Sequence, residues 1–279
     1  MEHLSAELAV RDVFSRVILN CGGQKTIETE VLAGGDIIGR AAAPYHLRES
    51  EAAEETAQWV NCCVAEALTG ENIFDQERTD RILKTLLGNE KRSEVFKAAF
   101  SVSAAAAAAA SSALKMPLYR YAGGICAAQM PAPAVRIFGD FLAVPPVGRP
   151  FAEQLASCMA ISRKLEKRAH TEGRSLTREE IMQEEGAADR QEFLSSLPDA
   201  LVITEGKTAT LTELFSLIRR AGRQNRTVVF ACGEGETADT LICDLAVACG
   251  ADWIDAGPLR HMESTEKYNR LLRISEKLF

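Results

Sequence analysis

The chain has 279 residues, 47% of them hydrophobic and 25% charged, with 32 basic against 39 acidic side chains. That is globular composition, enough for one large domain or two modest ones. A net charge of −7 argues against nucleic acid or an anionic membrane as the main partner, since both attract clustered Lys and Arg.

Four histidines, at 3, 46, 170 and 261, are too scattered for a histidine zinc site. No apolar leader with a cleavage site opens the chain, so no secretory signal is expected. Eight cysteines (21, 62, 63, 126, 158, 232, 243 and 249) lack CxxC spacing, which predicts free thiols in a reduced, cytoplasmic compartment.

In chain order, Arg16 to Val31 reads as two strands around a Gly22-Gly23 turn, and Asp36 to Ala43 as a third strand that stops at Pro44. From Ser50 the apolar period becomes helical (Ala53, Ala57, Val60, Val64, Leu68) and Gly70 closes the segment. A helix follows from about Asp75 to Gly88. The Ala/Ser run Ala98 to Leu114 is too weakly apolar for a membrane span and predicts a buried helix. Residues 1–124 thus form an α+β domain, a three-stranded meander plus helices.

Met130 to Pro133 reads as a linker. Beyond it, over 131–279, strands (133–138, 141–144, 200–204, 227–232, 252–256) alternate with helices (150–168, 208–223, 236–249, 264–278), the pattern of an α/β sheet or barrel. The charged stretch 170–196 is weakly patterned, partly helical, and reads as an insertion or deletion junction. Its acidic runs Glu179-Glu180 and Glu184-Glu185 read as one solvated helix face.

Four segments, in order, resemble enolase. Arg16-Val17-Ile18-Leu19-Asn20 with Thr26-Ile27-Glu28 is similar to the enolase opening R-x-I-L-D-S-R-G-N-P-T-V-E. Asp75-Gln76-Glu77-Arg78-Thr79-Asp80 is similar to D-Q-x-x-x-D. Pro117-Leu118-Tyr119-Arg120 and Pro131-Ala132-Pro133 resemble P-L-Y-R and P-x-P. Gly235-Glu236-Thr237-Ala238-Asp239-Thr240 with Asp244-Leu245, then Lys267-Tyr268-Asn269-Arg270-Leu271-Leu272-Arg273-Ile274, resemble G-E-T-x-D-T-x-x-x-D-L and K-Y-N-x-L-x-R-I. The resemblance implies that the α+β domain precedes a truncated enolase-type barrel. The run Gln58-Trp59-Val60-Asn61 looks closer to the divergent sperm-flagellar paralogue, which implies a cilium or flagellar axoneme as a setting within the cytoplasm.

Enolase uses a lysine base and two magnesium ions to stabilise an enediolate. The D-E-G-G-F, E-D-P and D-D stretches that hold the metal have no counterpart here, so no cofactor is expected. The base lysine falls on Thr204, and the substrate-gripping lysine falls on Asp255, a charge reversal. The H-R-S-G that binds phosphate and carboxylate falls on Cys232-Gly233-Glu234-Gly235, and the mobile lid on Tyr45-His46-Leu47-Arg48. The retained Glu28 and Arg273 correspond to a pair that meets across the enolase dimer interface.

After about residue 124 too little chain remains for a closed barrel, which takes ~200 residues or more. Open sheet edges then call for a cover: a protein partner, a second copy, or the 170–196 segment.

Three readings follow. The favoured one is a catalytically inactive enolase homologue acting as a structural or interaction module. A second is a remodelled enzyme whose strand-end carboxylates Asp140, Glu205, Glu234 and Asp255 bind a divalent cation, although a merely solvated acidic rim is the plainer reading of them. The third is a working phosphopyruvate hydratase, a lyase that converts 2-phosphoglycerate to phosphoenolpyruvate, with its missing parts supplied by another chain. Cys232 is read as a buried structural thiol, since no histidine lies near it in sequence to activate it.

Overall fold

The computed structural model describes residues 8–43, 52–88, 90, 93–204, 207–233 and 235–278. The lid positions Tyr45 to Arg48 and the rim candidates Glu205 and Glu234 lie outside them.

The first domain opens with an antiparallel meander of β1 (Val10–Leu19), β2 (Lys25–Ala33) and β3 (Ile37–Ala43). β1 starts six residues before the expected Arg16, because Val10 and Val13 are core residues paired along β2. Next come α1 (Ala52–Trp59), a π turn (Val60–Val64) and α2 (Ala65–Leu68), then α3 (Gln76–Leu87), whose N-cap Asp75 accepts from the Arg78 amide at 3.0 Å.

The Ala/Ser helix is α4 (Ser93–Ala113). It is apolar and long enough to cross a membrane, yet most of it is buried in this domain. Its alanines serve close packing: a Cβ on Gly39 of β3 would lie 2.0 Å from the Ala105 carbonyl oxygen, so sheet and helix touch backbone to backbone. α5 (Leu118–Gly123) ends the domain.

The expected linker at 130–133 is instead the first barrel strand. β4 (Ala132–Pro133) pairs in parallel with the last strand, and after Ala134 the same extended segment continues as β5 (Val135–Arg136). β6 (Phe141–Ala143) and α6 (Phe151–Glu172) follow. The charged junction then folds as α7 (Arg178–Met182), β7 (Ala187–Asp189) and α8 (Arg190–Ser196); the strand was not legible in its Gly-Ala-Ala-Asp sequence.

The remaining elements are β8 (Leu201–Ile203), α9 (Leu211–Arg223), β9 (Val228–Ala231), α10 (Leu241–Ala248), β10 (Trp253–Asp255) and α11 (Met262–Leu278). α10 begins five residues later than periodicity suggested, because Glu236 to Thr240 form a loop that meets the first domain.

The parallel sheet has the order β4-β10-β9-β8, and β5-β6-β7 is antiparallel. Because β4 and β5 are successive parts of one segment, the two sheets make one continuous open wall, β8-β9-β10-(β4/β5)-β6-β7. Its free edges among the described residues are β8 and β7. First and last strands still meet, as in a closed barrel, so the missing wall is in the middle.

Candidate functional site

In barrel enzymes chemistry sits beyond the carboxyl ends of the strands. Here that mouth is a cavity of about 510 Å³ lined by Arg136, Cys232, Gly233, Glu236, Arg260 and His261, with Cys21 of the first domain at its rim. Behind the Arg136 of this lining lies Asp255, 3% exposed. Arg136 donates Nε to Asp255 Oδ2 at 2.9 Å and a second nitrogen to the Cys232 carbonyl, and Arg190 Nε lies 3.3 Å from the same carboxylate oxygen. The Gly257 amide reaches Oδ1 at 3.0 Å. Burial opposes the charge on Arg136, and Asp255 outweighs it, so the guanidinium pKa is raised. Asp255 is therefore not a solvated rim acid. It is the buried hub of a charge cluster that ties β5, β10 and α8 together.

The other mouth charges are similarly matched. Lys267, 1% exposed, lies 2.9 Å from Glu236 and donates to the Thr237 carbonyl at 2.7 Å. His261 faces Glu263 at 3.2 Å, and Arg260 meets Glu166 at 2.9 Å while covering the Phe138 ring. Burial and Glu263 raise the Cys21 thiol pKa, away from reactivity. Cys232 is buried, as expected of a structural thiol.

Thr204, at the end of β8, accepts from the Lys207 amide at 3.1 Å. Asp140 is exposed and lines a different cavity, between β7 and β8. The two described rim candidates, Asp140 and Asp255, thus lie in different surroundings.

Among the described residues no group of three His, Cys, Asp or Glu side chains is placed to hold a metal ion. Magnesium requires several free oxygen ligands in octahedral array, whereas the buried carboxylates Asp255 and Glu236 each face a cation and Glu263 faces His261. These residues do not fit the magnesium ions of the family.

The segments that carried the resemblance do other work. Asp80, 2% exposed, accepts from Ser103 Oγ at 2.7 Å and, across the domain boundary, from the Thr212 amide at 2.9 Å. Asp239 accepts from the Ala42 amide of β3 at 2.6 Å. Asp244 holds Arg270 at 2.8 Å and accepts from the Tyr119 amide at 3.2 Å. The Cys21 amide donates to the Glu236 carbonyl at 2.8 Å. At Gly123 a Cβ would lie 2.4 Å from the Ala248 carbonyl oxygen, so the domains touch backbone to backbone there as well.

Trp59 is core, and Asn61 hydrogen-bonds both backbone groups of Ser15 (2.6 and 3.0 Å). The run Gln58 to Asn61 thus has a structural role. Glu28 is held by Arg16 (3.4 Å) and Arg40 (3.5 Å), and Arg273 by Glu266 (2.8 Å), so within one chain the two interface candidates have separate partners.

Sequence reasoning missed Arg136, Arg190 and the Lys267–Glu236 pair. The signal for Arg136 was present: a lone cation inside Ala-Val-Arg-Ile-Phe, where a buried strand tolerates charge only with a partner.

Residues 10–122 match the model of the enolase N-terminal domain, and residues 190–279 that of the enolase C-terminal TIM barrel domain. An enolase of Anaplasma marginale (strain St. Maries) is 25% identical over 406 aligned residues, covering 96% of this chain and 94% of that protein. With 279 residues here against 406 aligned, at least 127 positions lack a counterpart in this chain, and near-complete coverage of both proteins puts the loss inside. Two domain matches in order, the meander with its helices and a barrel wall open in the middle agree: this chain is a divergent, internally shortened member of the enolase family.

Proposed function

We propose that this protein is a non-catalytic member of the enolase family that serves as a structural or interaction module in the cytoplasm, docking a protein partner or a second copy. The observation that carries the reading is the Asp255 cluster. Where the resemblance puts a lysine that grips an anionic substrate, a buried carboxylate stands between Arg136 and Arg190. A phosphorylated acid entering there finds no lysine to grip it, and the two guanidinium groups nearest to the position are already engaged with the buried carboxylate.

Thr204 in place of the base lysine removes the group that takes the carbon-bound proton. Without a base and without metal oxygen ligands, the two main contributions to enolate formation are lost. The retained motifs, by contrast, hold the domains together, as expected of a protein kept for its shape. Free cysteines among the described residues support a reducing compartment.

A thermal-shift titration with magnesium, alone and together with 2-phosphoglycerate, tests the reading. A ligand at a hundred times its Kd stabilises by about 2.7 kcal/mol, several degrees for a domain of this size. We expect no shift. A rise in Tm that requires both ligands would overturn the proposal.

A further inference from the structure

The missing middle of the barrel leaves an inner wall that something has to cover. The wall's two faces can be told apart. Ile203 and Phe230 face helices, lining a small void with Phe100, Leu214, Ile242 and Leu245 of α4, α9 and α10. Val202, Val229 and Trp253 are in register across β8, β9 and β10 one residue earlier, so they point to the opposite, inner face. Two residues on from Trp253, Asp255 returns to that inner face.

The α8 helix lies on it. Arg190 reaches Asp255 at 3.3 Å, and the Phe193 ring meets the Trp253 ring edge-on with centroids 5.0 Å apart. Arg190 and Phe193 are three residues apart, on one face of a helix with a rise of roughly 4.5 Å between them. Asp255 and Trp253 are two residues apart on a strand, roughly 6.7 Å. The contacts pair Arg190 with Asp255 and Phe193 with Trp253, so α8 runs along β10 in the opposite direction, on the inner face of the wall. Its other side, with Gln191, Leu194 and Ser195, faces a residual cavity of about 780 Å³ that reaches Val202 on β8 and Asp189 on β7.

The strand edge beside this cavity is closed in the same way. In the parallel pairing, the Leu201 amide bonds to the carbonyl of Thr227, just before β9, so the alternating carbonyl of Val202 points to the free edge. Lys207 Nζ donates to that carbonyl. Lysine on an exposed edge is a common guard against pairing with another chain.

We propose that α8 is an internal plug. It stands in the lumen of the incomplete barrel, covers the inner wall in place of the absent strands, and bars the strand ends from ligands approaching through the gap. The chain covers its own opening, so a partner or second copy docks on another face. The plug stands apart from the catalytic reading, because its readout follows the wall whether or not the mouth turns over substrate.

The chain has two tryptophans, and they make the test direct. Trp253 touches the plug, whereas Trp59 is buried in the first domain. In protein labelled with 5-fluorotryptophan, with resonances assigned through Trp59→Phe, we expect Phe193→Leu and Phe193→Ala to move the Trp253 signal and leave that of Trp59 in place. We expect Phe193→Ala also to raise the acrylamide quenching of Trp253 about twofold in the Trp59→Phe background. The mild Phe193→Leu change keeps most of the side-chain volume, and an unmoved Trp59 signal certifies the fold. A Trp253 resonance unaffected by both substitutions, or fully solvent-exposed in the parent, would overturn the plug.

Discussion

The domain junction and the barrel mouth use the same kinds of residue to opposite ends. At the junction, Asp80, Asp239 and Asp244 accept hydrogen bonds from backbone amides of the neighbouring domain, and the surrounding sequence retains the enolase pattern. At the mouth, the pattern is kept at Glu236 and Lys267 but gone at Cys232, Gly233 and Asp255, and the charges there are paired with one another. A backbone amide cannot be exchanged by mutation, so a carboxylate that satisfies one is hard to replace once buried. A substrate-binding lysine has no such partner inside the protein. Once the substrate no longer matters, a carboxylate with two arginines fills the space at least as well.

The largest effect should follow from breaking the mouth cluster. Asp255→Asn leaves two largely desolvated guanidinium groups without their counter-charge, and loss of one member of a buried ion cluster costs about 3–5 kcal/mol. Urea denaturation should show this as a lower midpoint. Asp255→Lys, which restores the residue type of the active enzymes, should destabilise at least as much and bring no activity. If Asp255→Asn proved neutral, the cluster would not be what replaced the catalytic site.

Asp80→Ala should cost somewhat less, about 2–3 kcal/mol for the lost charged hydrogen bonds. Because Asp80 joins Ser103 to Thr212 across the boundary, calorimetry of this variant should resolve two transitions where the parent shows one. A single undivided transition would mean that the junction does not depend on the retained motif.

The smallest effect lies on the charged surface around α7. Arg174, followed by the Thr177 amide, holds Glu180 down to about 2, below its ordinary 4.5. A lowered carboxylate pKa stabilises the fold above about pH 4.5, and that contribution fades as the pH falls toward 2. Glu180 is half-buried beneath its arginine partners at the protein surface, where solvent screens the pair, so the effect is modest. Tm measured from pH 5 to pH 2.5 should fall more steeply in the parent than in Glu180→Gln. Parallel curves would show that this ion network carries no pH-dependent stability.

The parts of the fold that were legible in the sequence are those whose local period matches their environment. The meander, α1, α3 and the 3.6-residue stripes of α9 and α11 each bury one face, so their apolar spacing announced them. The β4 strand was hidden because Pro131 precedes it and Pro133 is one of its two residues, which reads as a linker, and strand β7 because Ala187 and Ala188 carry no β signal. Both are held by neighbours distant in sequence.

The site was legible in its losses rather than in its gains. Thr204 and Asp255 could be set against a family pattern. Their replacement partners Arg136 and Arg190 come from elements 119 and 65 residues before Asp255, and only the fold brings them together. The acidic runs misled for a related reason. Glu180 and Glu184 face Arg174 and Lys164, which no helical spacing relates to them.

Turnover separates a kept shape from a kept chemistry. The purified chain, given magnesium and 2-phosphoglycerate, should form no phosphoenolpyruvate above a no-enzyme blank, while an ordinary enolase assayed alongside does. Turnover that co-purifies with the chain through successive columns and disappears in Asp255→Lys would contradict the account, and would place a working base at the mouth where Thr204 now stands.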